Sequence, residues 1–118
     1  MSNVKNIELG YLIGIIDGEG SIVHNKKGNS RAVVIYNSEE TIINRCEKIY
    51  KNLGIKSYRF TTKNKCKDGV FIHLHVSNRE CLSKLWAIVG ELLCDRKKEL
   101  YRHMMNSYKY HKLRLIKF

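Results

Sequence analysis

Gly10, Gly14 and Gly18 recur every four residues through a stretch that is otherwise mostly apolar, with Ile7, Leu9, Tyr11, Leu12, Ile13, Ile15 and Ile16 between and before them. That spacing is close to one helical turn, so the glycines form a bare stripe down a helix predicted over Asn6 to Asp17. Each interior glycine gives up about 1 kcal/mol of helix propensity. A bare stripe lets a second backbone approach closely, and a helix apolar on most sides is expected to be buried on most sides. The stripe runs into Asp17-Gly18-Glu19-Gly20. Two carboxylates therefore stand at a helix C-terminus, where the macrodipole disfavours negative charge. Broken local rules at one place point to function. The plain alternative is a core helix that ends in a turn with solvated acids.

If two copies of this helix pack along the stripe with two-fold symmetry, their C-termini and carboxylates converge. Like charges that close need a shared proton or a cation between them. Oxygen ligands select hard cations, so Mg²⁺ (or Mn²⁺) is the natural guest. The chain carries 22 Lys+Arg against 11 Asp+Glu, a formal net charge of +11. Such a surface suits nucleic acid, with an anionic membrane as the rival partner. A carboxylate-held metal beside a basic surface suggests phosphodiester hydrolysis.

The 118 residues fit one domain spanning 1–118, with core enough for one fold. A hydrophobic fraction of 43% and a charged fraction of 28% exclude a disordered tail and a fibrous protein. The longest apolar run, Gly10 to Ile16, is far shorter than the ~20 residues of a membrane span. Acidic residues follow it where a secretory cleavage site needs small ones. Cys46, Cys66, Cys81 and Cys94 form no CxxC pair, and reduced, buried thiols are expected ahead of a zinc site.

The chain has no proline, so helix ends are read from Gly, Asn, Ser and the change of period. Two β-like runs, Ser21 to Lys27 and Arg31 to Tyr36, flank a Gly28-Asn29-Ser30 turn. Asn37 or Ser38 caps a second helix that Gly54 ends. A second hairpin pairs Lys56 to Lys63 with Val70 to Val76 across Asp68-Gly69. Ser77 and Glu80 form a capping box for a third helix with a stripe from Leu82 to Leu93. A fourth helix is expected from Arg96 to Tyr108, followed by a tail without clear period. The fold class is α+β, in the order αββαββα with a short extra helix.

Leu12-Ile13-Gly14-Ile15-Ile16-Asp17-Gly18-Glu19-Gly20 resembles the signature of LAGLIDADG homing endonucleases, with Glu19 as the second acid. The αββαββα order is similar to that family's core, as are Asn37-Ser38-Glu39-Glu40, Leu53-Gly54-Ile55, and Leu92-Leu93 before Arg96-Lys97-Lys98-Glu99. With a single motif in a short chain, the resemblance implies a homodimer that binds and cleaves a long, near-palindromic double-stranded DNA across the minor groove. It implies an antiparallel, saddle-shaped sheet with helices on one face, and an intracellular, cytoplasmic protein or one in the compartment holding its target. Glu19 becomes the metal ligand, with the Gly18 carbonyl beside it. Gly10, Ile13, Gly14, Asp17 and Gly18 become the dimer interface. Lys97, first among Arg96, Lys97 and Lys98, becomes the basic residue at the scissile bond, and Ser38 a polar residue near it. The alternative is an inactive relative that binds nucleic acid, such as an RNA maturase or a DNA-binding regulator.

The saddle's concave face is expected in the major groove, and parity selects its residues. Counting by twos from Glu19 gives Val23, Asn25 and Lys27, with Arg31, Val33 and Ile35 from the paired strand. The second hairpin adds Ser57, Arg59, Thr61 and Lys63 opposite Phe71, His73 and His75, which leaves Tyr58 and Phe60 pointing inward. Arg31 and Arg59 are candidate guanine readers and Asn25 an adenine reader. Lys26, Lys56, Lys65, Lys67 and the tail lysines are expected at phosphates. His73 and His75 share a face, but no third ligand stands at sensible spacing for a metal.

Overall fold

The computed structural model describes residues 5–25, 27, 30–64 and 69–116, with backbone alone for 64 and 109–116. Its order is α1 (Asn6–Glu19), β1 (Gly20–Asn25), β2 (Ser30–Asn37), α2 (Glu40–Asn52), β3 (Tyr58–Asn64), β4 (Gly69–Val76), α3 (Arg79–Val89), a 3₁₀ turn (Gly90–Leu92) and α4 (Asp95–Ile116). The strands form one antiparallel sheet in the order β1-β2-β4-β3. Each half of the pattern is a helix and a hairpin, and the second strands of the two hairpins meet at the centre. The fold is α+β, with the helices on one face of the sheet. Cys66, Lys26, Lys65, Lys67, Asp68 and most of the Gly28-Asn29-Ser30 turn lie outside the described residues. No helix among the described residues is long and apolar enough to cross a membrane.

The core forms between the covered sheet face and the helices. Val33 and Ile35 of β2 and Leu74 and Val76 of β4 are fully buried against Leu12 and Ile16 of α1 and Ile43 and Cys46 of α2. Leu82, Leu85, Tyr101 and Met104 extend this core through α3 and α4. Tyr101 is fully buried and donates its hydroxyl to the Leu82 carbonyl at 2.5 Å, which joins α4 to α3. Burial pushes the Cys46 thiol up to about 11, so it packs as a neutral apolar group. Cys46 and Cys81 are free and buried, whereas Cys94 is exposed.

Several boundaries differ from the sequence reading. Neither Asn37 nor Ser38 caps α2. Its N-cap is Glu39, and the Asn37 side chain accepts from the Glu39 amide in an Asx turn. The capping box at Ser77 gives way to Asn78, whose side chain accepts from the Cys81 amide. Gly54, at φ 75°, ends α2 as expected of a left-handed glycine. The apolar stripe beyond Val89 is broken by the 3₁₀ turn, and α4 continues to Ile116.

Gly90, helical in conformation at the end of α3, makes room for a neighbouring ring. A Cβ there would stand 2.1 Å from Cε3 of Trp86, whose ring is packed on Tyr101. Gly90→Ala must displace the indole, and overpacking of this kind costs about 1–3 kcal/mol. Trp86 is the chain's one tryptophan, so urea denaturation followed by its fluorescence reads both effects. An unchanged midpoint and native emission would contradict the packing.

Candidate functional site

The motif helix α1 is less enclosed than its composition suggests. Leu12 and Ile16 are buried, but Ile7 is 76% exposed, and Gly10, Gly14 and Gly18 all lie on the surface. A Cβ built on any of these glycines meets nothing within 4 Å. Burial on most sides is therefore not found within one chain. The apolar helix uses one face for the core and leaves the bare stripe, with half-buried Ile13 alongside, facing outward. Gly20 differs from the other three. Its Cβ would sit 2.7 Å from the Ile16 carbonyl oxygen, so the strand can leave the helix this tightly only through glycine.

Charges at the end of α1 are compensated from α4, across the whole length of the chain. The Lys97 ammonium, 5% exposed, donates to the Ile16 carbonyl at 2.7 Å and to the Gly20 carbonyl. A cation thus caps the negative end of α1. In return, Asp17 Oδ1 accepts from the Cys94 amide at 2.9 Å, at the start of α4. A carboxylate there complements the positive end of that helix. Burial holds the Lys97 amine below its ordinary value, and Arg96 lowers it further, while Cys94 and Asp17 act in the opposite sense. Lys97 therefore stands at the turn that bears Glu19, with its ammonium donated to two carbonyls of that turn. Arg96, on the same turn, is exposed, whereas Lys98 stands 3.9 Å from Asp95.

Glu19 is exposed and oriented. Its Oε2 accepts from Asn37 Nδ2 at 2.5 Å, and Asn37 is in turn held by the Glu39 amide. A depression of about 370 Å³ opens beside it, lined by Gly18, Glu19, Tyr36, Asn37, Ser38 and Phe71. Ser38 thus joins Glu19 in one concavity, and Asn37 is the residue that sequence reasoning missed. Its signal was present, since Asn directly before Ser-Glu-Glu marks an Asx turn, but nothing local shows that its amide reaches the helix end. Among the described residues no group of three or more His, Cys, Asp or Glu gathers as a metal site within one chain.

The sheet face turned away from the helices carries a different set of residues from the one parity predicted. In β1 the open-face positions are Ser21, Val23 and Asn25, as counted, with Lys27 exposed beyond the strand. Pairing of His24 with Arg31 and of Val23 with Ala32 places Ala32, Val34 and Tyr36 on that face. Arg31, Val33 and Ile35 point to the core, which corrects their assignment to the groove. Val33 and Ile35 are fully buried, and Arg31 donates to Ser107 Oγ at 2.7 Å and lies 4.1 Å from the Tyr108 ring centre.

In the second hairpin Phe71, His73 and His75 lie on the open face as counted, but β3 presents the other set. Tyr58 pairs with His75, Phe60 with His73 and Thr62 with Phe71, so these six share the open face. Arg59 and Thr61 pair with Leu74 and Ile72, and Lys63 with Val70, on the helix-bearing side; Ser57 precedes the strand with the same parity. Arg59 is held there by Glu47 at 2.8 Å and Asn44 at 2.8 Å, both on α2. The cause is one residue of register, which moves every side chain to the other face. Tyr58 and Phe60 look like core residues in sequence, yet they stack on histidines in solvent.

The result is a continuous row of rings across three strands. Phe71 meets Tyr36 at 5.4 Å, Tyr36 meets His73 at 5.3 Å, and His73 meets Phe60 at 4.7 Å with planes 7° apart. Phe60 meets His75 at 4.7 Å and His75 meets Tyr58 at 5.2 Å. His75 is held below the ordinary histidine value, first by burial among these rings and then by His73.

The reciprocal capping at α1 is open to a direct test. Lys97→Met keeps the apolar stem of the side chain but removes the ammonium that donates to two carbonyls, leaving Ile16 with the Gly20 amide as its donor, and loss of a hydrogen bond to a charged group costs about 1.5–3 kcal/mol. The denaturation midpoint of this variant falls by a corresponding amount; an unchanged midpoint would show that Lys97 does not hold the helix end.

A glycine-striped helix ending in an oriented carboxylate is thus set against a four-stranded antiparallel sheet with one open face. A family model described as a LAGLIDADG-like domain matches residues 6–90, from the first residue of α1 to the end of α3. No curated protein matches the chain. The match spans the motif, both hairpins and three of the helices. The chain belongs to the LAGLIDADG family, the family of homing endonucleases and maturases.

Proposed function

We propose that the chain is a site-specific double-strand DNA endonuclease that works as a homodimer with Mg²⁺ (or Mn²⁺) on a long, near-palindromic target. The observation that carries this reading is the end of α1: Glu19 stands exposed and held by Asn37, while its neighbour Asp17 is taken up in capping α4. A binder that never cuts has little use for an oriented carboxylate of this kind in a chain with a net charge of +11.

Dimerisation follows from the outward stripe. Gly10, Gly14 and Gly18 leave open space where side chains would stand, and the exposed apolar surface around them, including Ile7, favours a covered state. Ile13 packs beside the stripe. A second copy related by a two-fold axis brings a second Glu19 towards the first. Asp17 needs no partner across the interface, because the Cys94 amide already holds it.

The donor set fits a hard divalent cation. Glu19 offers a carboxylate, and Gly18, one of the last four helix carbonyls, has no intrahelical partner for its oxygen. One chain supplies too few ligands, and a site shared between two copies supplies more. The bound cation contributes charge stabilisation at the attacking and leaving oxygens of the phosphodiester. The chain's own residues orient that centre: Asn37 fixes the carboxylate, Lys97 and Gly20 fix the turn that bears it, and Ser38 lines the same depression. Arg96 replaces Lys97 as the cation offered to the scissile phosphate, since it is the exposed member of the trio. On the open face, Val23, Asn25 and Lys27 flank the centre on the β1 side, where a duplex groove would run.

Glu19→Gln keeps the bond from Asn37 but removes the charge. It abolishes Mg²⁺-dependent cleavage and leaves duplex affinity equal or higher; persistent cleavage of a selected target would refute the assignment. Gly14→Leu fills the stripe and converts the dimer to monomer in sedimentation velocity. A dimer that survives the substitution would remove α1 from the interface.

A further inference from the structure

We propose that the row of rings on the open sheet face is a stacking site for the unpaired bases of a single-stranded nucleic-acid segment, with an end base lodged in the depression beside Glu19. This rests on the nucleic-acid part of the proposed function and extends it to a second kind of substrate.

The open face lacks the groups that read a duplex. Bases within a duplex are covered on both faces by their neighbours and expose only edges, which proteins read with hydrogen-bonding forks. The two arginines able to do this from the sheet are turned away: Arg31 is 9% exposed and held by Ser107, and Arg59 is held by Glu47 and Asn44. Over β2, β4 and β3 the open face carries no arginine or lysine among its paired positions. It carries rings instead. An unpaired base has an open π face, and stacking on aromatic side chains is the sequence-tolerant way to hold it.

None of the four strands contains an aspartate or glutamate, in a chain with a net charge of +11. Phosphates crossing this face meet no fixed negative charge from the strands, and a single strand draws on that field as a duplex does.

The row offers its ends and its outer edges. Its rings are already stacked on one another, so bases extend it at its ends and over its outward edges, where Tyr36 is 46%, Phe60 43% and Tyr58 52% exposed. The Phe71–Tyr36 end opens directly into the 370 Å³ depression, a volume in the size class of small-ligand clefts. A base continuing the stack there sits next to the Glu19 carboxylate.

The test uses the full chain in EDTA, so that no cleavage occurs, and fluorescence anisotropy with labelled oligo(dT), oligo(U) and a duplex of equal length. Tyr36→Leu and Phe60→Leu remove rings but keep apolar bulk, and Phe60→Tyr keeps the ring. Each Leu variant lowers the ratio of single-strand to duplex affinity about fivefold or more, Phe60→Tyr preserves the ratio, and far-UV circular dichroism stays native. Loss on both oligo(dT) and oligo(U) identifies the base ring shared by the two as the ligand, and loss on one of them shows that the 2′-hydroxyl or the thymine methyl contributes as well. A ratio unchanged in the Leu variants, whether neither affinity falls or both fall equally, overturns the proposal. Since the assay contains no metal, that failure is separate from the cleavage result of Glu19→Gln, and either reading can fall alone.

Discussion

Two helix ends that lie 77 residues and more apart in sequence neutralise each other, and the arrangement of everything near Glu19 follows from that exchange. The Lys97 ammonium takes the negative end of α1 and the Asp17 carboxylate takes the positive end of α4. Each helix supplies the charge that the other's dipole calls for. The apparent breach of helix rules at Asp17 and Glu19 is thereby half explained. Asp17 is an N-terminal cap placed on a helix other than its own, and only Glu19 remains without a structural reason for its charge. That division, one acid held by the other helix and one left exposed, keeps the end of α1 rigid without using up both carboxylates within the chain.

Much of the architecture is legible because it rests on period and punctuation. The alternation of helix and hairpin, the helical stripe through Ile43, Cys46, Ile49 and Tyr50, and the left-handed stop at Gly54 are all local signals that the fold obeys. The motif positions Leu12, Ile16 and Gly20 are likewise local, since two bury and the third allows the close exit of β1. What is not local is register. Nothing within β2 or β3 tells which of two alternating sets turns inward. Arg31-Ala32-Val33-Val34-Ile35 reads apolar on both parities, and Tyr58-Arg59-Phe60-Thr61 invites the wrong choice by offering aromatic rings to the core.

The chain settles that choice at the edge strand in favour of charge underneath. Arg59 and Lys63 lie on the helix-bearing side of β3, where α2 provides Glu47 and Asn44 for the arginine. Inward-pointing charge on an edge strand also discourages that edge from pairing with another chain. The same logic governs Lys97, which reads in sequence as one member of a solvated basic run and is in fact enclosed. Its partners are backbone carbonyls, which leave no trace in side-chain pattern.

The open face also bears on how such a chain can change over time. Its outward residues on β1, β3 and β4 contribute little to the packing between sheet and helices, because the core is drawn from the opposite parity of β2 and β4. Substitution there leaves that packing intact and costs stability chiefly where rings stack on one another. A lineage could rewrite the outward positions of β1, one side chain at a time, on a scaffold whose core scarcely registers the edits.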